Sequence, residues 1–140
     1  MEKVLIDTDV ILDFFFDRQP FAVHATEIFM MCENQQIQGF TTPVIISNTY
    51  YLLKKTGKHE IVIEKLKQLL SIIGILEMNK EVVIEALNSK FKDFEDALQN
   101  FAAVNHGEIK IIITRNVKDF QKSGLAVLTP EMYVRKYASH

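Results

Sequence analysis

The chain has 140 residues, of which 48% are hydrophobic and 24% charged, with a formal net charge of −2. That length sets an expectation of one domain over residues 1–140 with room for a sizeable core, and the small net charge argues against adhesion to nucleic acid by bulk charge, leaving open a local basic rim. A single cysteine, Cys32, excludes an intrachain disulfide. No apolar run reaches the about 18 residues of a membrane-spanning helix. The N-terminus enters a strand with no basic, cleavable leader before it, so a cytoplasmic protein without a membrane partner is expected.

Val4-Leu5-Ile6 is a short continuous apolar run, as in a strand buried on both faces of a parallel sheet. From Val10 the spacing becomes helical through Ile11, Phe14 and Phe15, with Thr8 as the expected N-cap, so Asp7 falls where a strand ends and a helix begins. In an open parallel sheet that edge is where ligands collect. Asp17-Arg18-Gln19-Pro20 breaks the pattern. Phe21 to Gln36 then reads as an amphipathic helix that buries the Cys32 thiol. Phe40-Thr41-Thr42 is a short strand, Pro43 opens a helix to Lys55 that Gly57 stops, and His59 to Ile73 is helical until Gly74. Ile75 to Met78 is a further strand. Asn79 caps a helix over Glu81 to Ser89, and a helix from about Asp93 runs to Gly107. Lys110 to Thr114 is a β-branched central strand and Ala126-Val127-Leu128 a last short one, before Thr129-Pro130 starts a terminal helix ending near Tyr137. Alternation of this kind predicts an α/β three-layer sandwich, a parallel sheet of four to five strands flanked by helices.

Several strand ends and helix starts bring polar residues to one edge of such a sheet. They are Asp7 and Asp9; Asn48 between Ser47 and Thr49; Asp93, Glu95 and Asp96; and Thr114-Arg115-Asn116 followed by Asp119. Asp93 and Asp96 are expected to share a helix face from which Glu95 points away. Clustered carboxylates repel, so they stay together where a cation or donors offset them. Oxygen ligands without Cys or paired His suit Mg²⁺ or Mn²⁺, which can activate water and stabilise charge on a phosphoryl oxygen. Each residue also has a plainer role. Asp9, Asp93 and Glu95 favour a helix dipole, Asn116 and Asp119 form turns, and Asp13 and Asp17 read as solvated helix or turn residues. Phe14, Phe15, Phe16, Tyr50 and Tyr51 read as core or subunit contacts. His24, His59, His106 and His140 show no metal-ligand spacing and read as surface residues.

Ile6-Asp7-Thr8-Asp9-Val10-Ile11, Asp93-Phe94-Glu95-Asp96-Ala97-Leu98-Gln99, and Ile113 to Phe120 followed by Val127-Leu128-Thr129-Pro130 together resemble the PIN domain family, metal-dependent nucleases that include toxin ribonucleases of bacterial toxin–antitoxin pairs. The resemblance extends over almost the whole chain and implies an acidic pocket that binds Mg²⁺ or Mn²⁺ and cleaves RNA. Under it Asp7 and Asp96 match metal-ligand positions, Thr8 the supporting hydroxyl, and Thr114 and Arg115 the strand-end pair. Asn48 stands where most members carry Glu, and Asn116 where many carry Asp. Asn keeps an oxygen but loses the charge, so metal affinity and activation of water should weaken unless Asp9, Glu95 or Asp119 compensates.

The resulting expectation is a ribonuclease with catalytic residues Asp7, Asp96, Asn116 and Asp119, supported by Thr8, Asp9, Asn48, Glu95 and Thr114. A metal-bound water attacks, and Arg115, Lys118 and Lys122 meet the phosphate backbone. The resemblance also implies a homodimer, with Phe14-Phe15-Phe16 and Tyr50-Tyr51 as contacts, and an antitoxin protein as partner. Two rivals remain. One is a non-catalytic RNA- or antitoxin-binding module with a weakened metal site. The other is a regulatory domain with an acidic phosphoacceptor, which lacks its signal lysine because Lys110 begins a strand instead of ending one.

Overall fold

A computed structural model describes residues 1–139; of the four histidines, His140 lies outside the described residues. Five strands, β1 (Glu2–Ile6), β2 (Ile37–Thr41), β3 (Gly74–Ile75), β4 (Ile111–Ile113) and β5 (Ala126–Leu128), form one parallel sheet in the order β3-β2-β1-β4-β5. The helices that flank it are α1 (Thr8–Phe15), α2 (Phe21–Glu33), α3 (Pro43–Lys54), α4 (His59–Leu70), α5 (Lys80–Leu87), α6 (Phe94–His106) and α7 (Pro130–Ala138), with a 3-10 turn at Val117–Phe120. None of the described helices is long and apolar enough to cross a membrane.

The two apolar runs lie at the middle of the sheet. Val4 pairs with Gly39 on one side and Ile111 on the other, and Leu5 with Phe40 and Ile112. Val4, Leu5, Ile6, Ile112 and Ile113 have no exposed surface, because helices cover both faces of these strands. All pairings are parallel, so the C-terminal ends of β1, β2 and β4 lie along one edge.

Several boundaries differ from the sequence reading. The N-cap of α1 is Asp7, one residue before Thr8: its carboxylate accepts from the Thr8 amide at 2.8 Å. Strand β2 starts at Ile37 and α2 stops at Glu33, because Asn34 to Gln36 make the turn. Helix α4 stops at Leu70, three residues before Ile73. Gly74 then serves as a strand residue and not as a helix stop. A Cβ at Gly74 would lie 2.9 Å from the Phe40 ring, so glycine lets β3 lie against β2 there. Residues 76–78 lie outside β3, although the Leu76 amide still donates to Thr41 O at 2.8 Å. At the end of α6, Gly107 has a φ of 85°, the left-handed cap expected of a glycine.

Candidate active site

The end of β1 carries Asp7, whose amide donates to Ile113 O at 3.0 Å, tying it to the end of β4. Its two carboxylate oxygens have separate partners. Oδ1 caps α1, and Oδ2 accepts from Thr114 Oγ1 at 2.9 Å. Thr114 Oγ1 in turn accepts from the Asn116 amide at 3.0 Å, and Asp9 Oδ2 accepts from the Arg115 amide at 2.9 Å. The loop after β4 therefore locks onto both carboxylates of the first turn.

An open cleft of about 590 Å³ lies at this edge, lined by Asp7, Thr8 and Asp9 from the β1 side, Asn48 from α3, Glu95, Asp96 and Gln99 from α6, and Asn116 from the β4 loop. Of the residues singled out in the sequence, the cleft thus gathers Asp7, Thr8, Asp9, Asn48, Glu95, Asp96, Arg115 and Asn116. Glu95 does not point away from Asp96. Asn48 Nδ2 donates to Glu95 Oε2 at 2.9 Å and draws it into the cleft across the gap between α3 and α6. Asp93 is the N-cap of α6, accepting from the Asp96 amide at 3.0 Å, which fixes the start of the turn that presents Asp96. Thr114 is fully buried beneath the site. Asp119 and Lys118 line an adjacent cavity that shares Asp96 with the cleft.

Burial raises the Asp7 carboxyl from 3.8 to about 6, with the charges of Asp9 and Asp119 adding to it against the hydrogen bonds from Thr8 and Thr114. Asp96 rises to about 7, again through burial first, then through repulsion from Asp93, Asp7, Asp119 and Glu95. Burial also pushes Asp9 up, opposed by the amide and the charge of Arg115. The edge thus holds negative charge that its own donors only partly offset.

Asp13 corrects the reading of a solvated helix residue. It has no exposed surface, and its carboxylate takes Arg115 Nε at 2.6 Å, Arg115 Nη2 at 3.0 Å and Arg18 Nε at 2.9 Å. Arg115, expected to meet a phosphate backbone, is committed to this pair, and its guanidinium also lies 3.9 Å above the Phe21 ring. The aromatic contacts change as well. Phe14 and Phe15 pack against the core, whereas Tyr51 is 66% exposed and lines the cleft. Sequence reading also missed Thr42, which donates to Gln99 Oε1 at 2.5 Å, and the cleft cations Arg18 and Lys55. Thr42 and Gln99 flank recognisable signals, the Pro43 helix start and the Asp96 segment, but only the fold sets them against each other.

Among the described residues no three His, Cys, Asp or Glu side chains are grouped to hold a metal ion. The cleft lining brings Asp7 and Asp96 together with the carboxylates of Asp9 and Glu95 and the side chains of Asn48 and Asn116. Mg²⁺ is commonly held by one or two carboxylates and completes its octahedron with waters and substrate phosphates, so this donor set fits a hard divalent ion of that kind.

A family model described as PIN domain matches residues 3–118. The chain is 28% identical over 141 residues to Ribonuclease VapC1 of Aquifex aeolicus, covering 97% of this chain and 96% of that protein. Among solved structures, a toxin–antitoxin complex from Klebsiella pneumoniae superposes with a TM-score of 0.69 at 23% identity, covering 91% of this chain and 97% of that one. VapBC2 from Rickettsia felis, bound to a DNA fragment from its promoter, gives 0.65 at 14% identity, over 90% and 96% of the two chains.

Proposed function

From the premise that this chain belongs to the PIN domain family, we propose that it is a metal-dependent endoribonuclease, the toxin of a toxin–antitoxin pair. The observation that carries this reading is the placing of Asp7 and Asp96 in one cleft, both carboxyls raised first by burial and Asp96 raised further by the charge of Asp7. Carboxylates so placed call for a cation, and an all-oxygen donor set suits Mg²⁺ or Mn²⁺. Asp7 and Asp96 would hold it, with Asn116, Asp119 and Glu95 completing its surroundings directly or through water. Bound there, the ion supplies a Lewis acid beside the scissile phosphodiester and makes water a competent nucleophile near neutral pH.

The chain's own residues prepare the cleft. Thr114 fixes Asp7 Oδ2, the Arg115 amide fixes Asp9, and Asn48 holds Glu95. That last contact bears on the substitution of Asn for Glu on α3: the acidic oxygen reaches the cleft from α6 instead, and an amide on α3 is the neutral donor that steadies it. The likeness to a ribonuclease over nearly the full length of both chains supports RNA as the substrate. An antitoxin protein and a second copy of the chain belong to the same proposal, with Tyr51 and Phe16 among the exposed aromatic side chains available for contact.

The second reading, a non-catalytic RNA- or antitoxin-binding module, draws on Asn48, Asn116 and the lack of a three-carboxylate group among the described residues. Calorimetry with Mn²⁺ on the wild type, Asp7→Asn and Asp96→Asn, followed by incubation of each with a mixed RNA pool, separates the two. The ribonuclease reading expects one binding event and cleavage, both lost in each variant. RNA binding that persists in chelator, with no cleavage and no Mn²⁺ heat in the wild type, would establish the module instead.

A further inference from the structure

A polyanion that reaches this edge meets Asp7, Asp9, Glu95 and Asp96 in the cleft and Asp93 and Asp119 beside it. Their repulsion has to be offset by cations that are free to engage phosphate. The two arginines at the cleft are not free in that sense, since both guanidinium groups pair with buried Asp13, which leaves Lys55, among the described residues, as a single unpaired cation on the cleft wall. On the far side of Asp96 lies a second cavity of about 300 Å³, and its walls carry Lys92, Lys118 and Lys122. All three are exposed, and among the described residues none forms an ion pair, although Asp93, Asp96 and Asp119 line the same cavity. Three ammonium groups that stand off from nearby carboxylates, in a hollow beside the cleft that shares Asp96 with it as a wall residue, have the layout of a backbone-phosphate trough.

We propose that Lys92, Lys118 and Lys122 form a phosphate-binding subsite for the RNA strand on one side of the scissile bond, entered across Asp96. The inference rests on the ribonuclease reading and adds to it the path of the substrate: a single strand lies over Asp7 and Asp96 and continues between the α6 N-terminus and the 3-10 turn. Ammonium groups on long stems suit this role, because they follow a backbone without reading its bases. Arg115 drops out of the expected set of backbone contacts, Lys118 and Lys122 remain in it, and Lys92 joins them.

The test is fluorescence anisotropy with a short labelled single-stranded RNA of mixed sequence, in chelator, for the wild type, the triple variant Lys92→Gln/Lys118→Gln/Lys122→Gln, and Lys136→Gln, which lines neither cavity. The triple variant should bind about tenfold more weakly near 0.1 M salt, and its plot of log affinity against log salt should be shallower by about 2, as expected for three lost single-strand phosphate contacts. The Lys136 variant should match the wild type. Exposed lysines replaced by glutamine leave the fold intact, which an unchanged melting temperature checks. Wild-type affinity and slope in the triple variant would overturn the trough, and RNA cleavage by the wild type in Mn²⁺ would show that the ribonuclease reading survives that result. A wild type that neither binds nor cleaves RNA would remove both.

Discussion

Asp13 shows how much one side chain can hold together. A carboxylate with no exposed surface binds Arg18 from the following turn and Arg115 from 102 residues away, joining α1 to the loop whose amide steadies Asp9. Replacing it with alanine strands two guanidinium groups. Because Arg115 and Arg18 side chains are 27% and 42% exposed, water takes up part of the loss. Asp13→Ala should therefore lower unfolding stability by about 2–3 kcal/mol, near the value of charge-assisted hydrogen bonds rather than of a fully buried pair; a shift of the urea midpoint at constant slope checks this. Asp7 carries the opposite sign. Its folded pKa of about 6 lies above the ordinary 3.8. Well below 3.8 it is neutral whether the chain is folded or not; as pH rises from there to about 6 the unfolded chain gives up the proton that the folded one keeps, and stability is lost over that range. Asp7→Asn should thus stabilise the metal-free protein at pH 8 by up to about 3 kcal/mol and leave it nearly unchanged near pH 3, as read from urea midpoints at the two pH values. The amide can still accept from the Thr8 amide and donate to the Thr114 hydroxyl. Asp7 was legible from its place after an apolar run. Asp13 was not, since four residues beyond Asp9 it reads as one more polar helix position, and its partner is remote in sequence.

At the scale of the elements, legibility follows how locally each one is determined. Strands β1 and β4 announce themselves because both faces are buried, and Thr42, Asn79, Asp93 and Thr129 cap their helices with side-chain hydrogen bonds to the first turn. The end of α4 is less legible. Ile72 and Ile73 continue its apolar stripe, yet they pack against the core from outside the helix. Packing between β2 and α2 is equally non-local. A Cβ on Gly39 would sit 2.8 Å from Cys32 Sγ and 2.9 Å from Ile6 Cδ1. Gly39→Ala forces either the helix or the central strand to move and should destabilise by about 1–3 kcal/mol, measured by denaturant unfolding. Burial pushes the Cys32 thiol up to about 11, so a gain in thiol-reagent reactivity at neutral pH in that variant would report the displacement of α2 directly.

For the whole molecule, the parallel topology could be reasoned out from alternating strands and helices, and with it the rule that ligands meet the C-terminal edge. What the alternation did not contain was the division of labour along that edge. Glu95 enters through Asn48, both arginines are withdrawn by Asp13, and among the described residues three unpaired lysines lie behind Asp96 against one, Lys55, in the cleft itself. Under the proposed metal site, proton and metal would compete for one pair of carboxylates. Mn²⁺ should raise the melting temperature at pH 8 and lose that effect near pH 5, below the folded pKa values of about 6 and about 7 for Asp7 and Asp96; differential scanning calorimetry at the two pH values checks it. The sheet order carries one more consequence. Strand β1 comes first in the chain but pairs with β4, so Asp7 waits 107 residues for the hydroxyl of Thr114 and Asp9 waits 106 for the amide of Arg115. A growing chain in which α6 has been made and β4 has not holds its acidic residues up to Asp96 but lacks the Thr114 hydroxyl and the Arg115 amide that fix Asp7 Oδ2 and Asp9. A cleft assembled this way cannot reach working order before β4 and the loop after it have been made, so its acidic half precedes its donor half in synthesis.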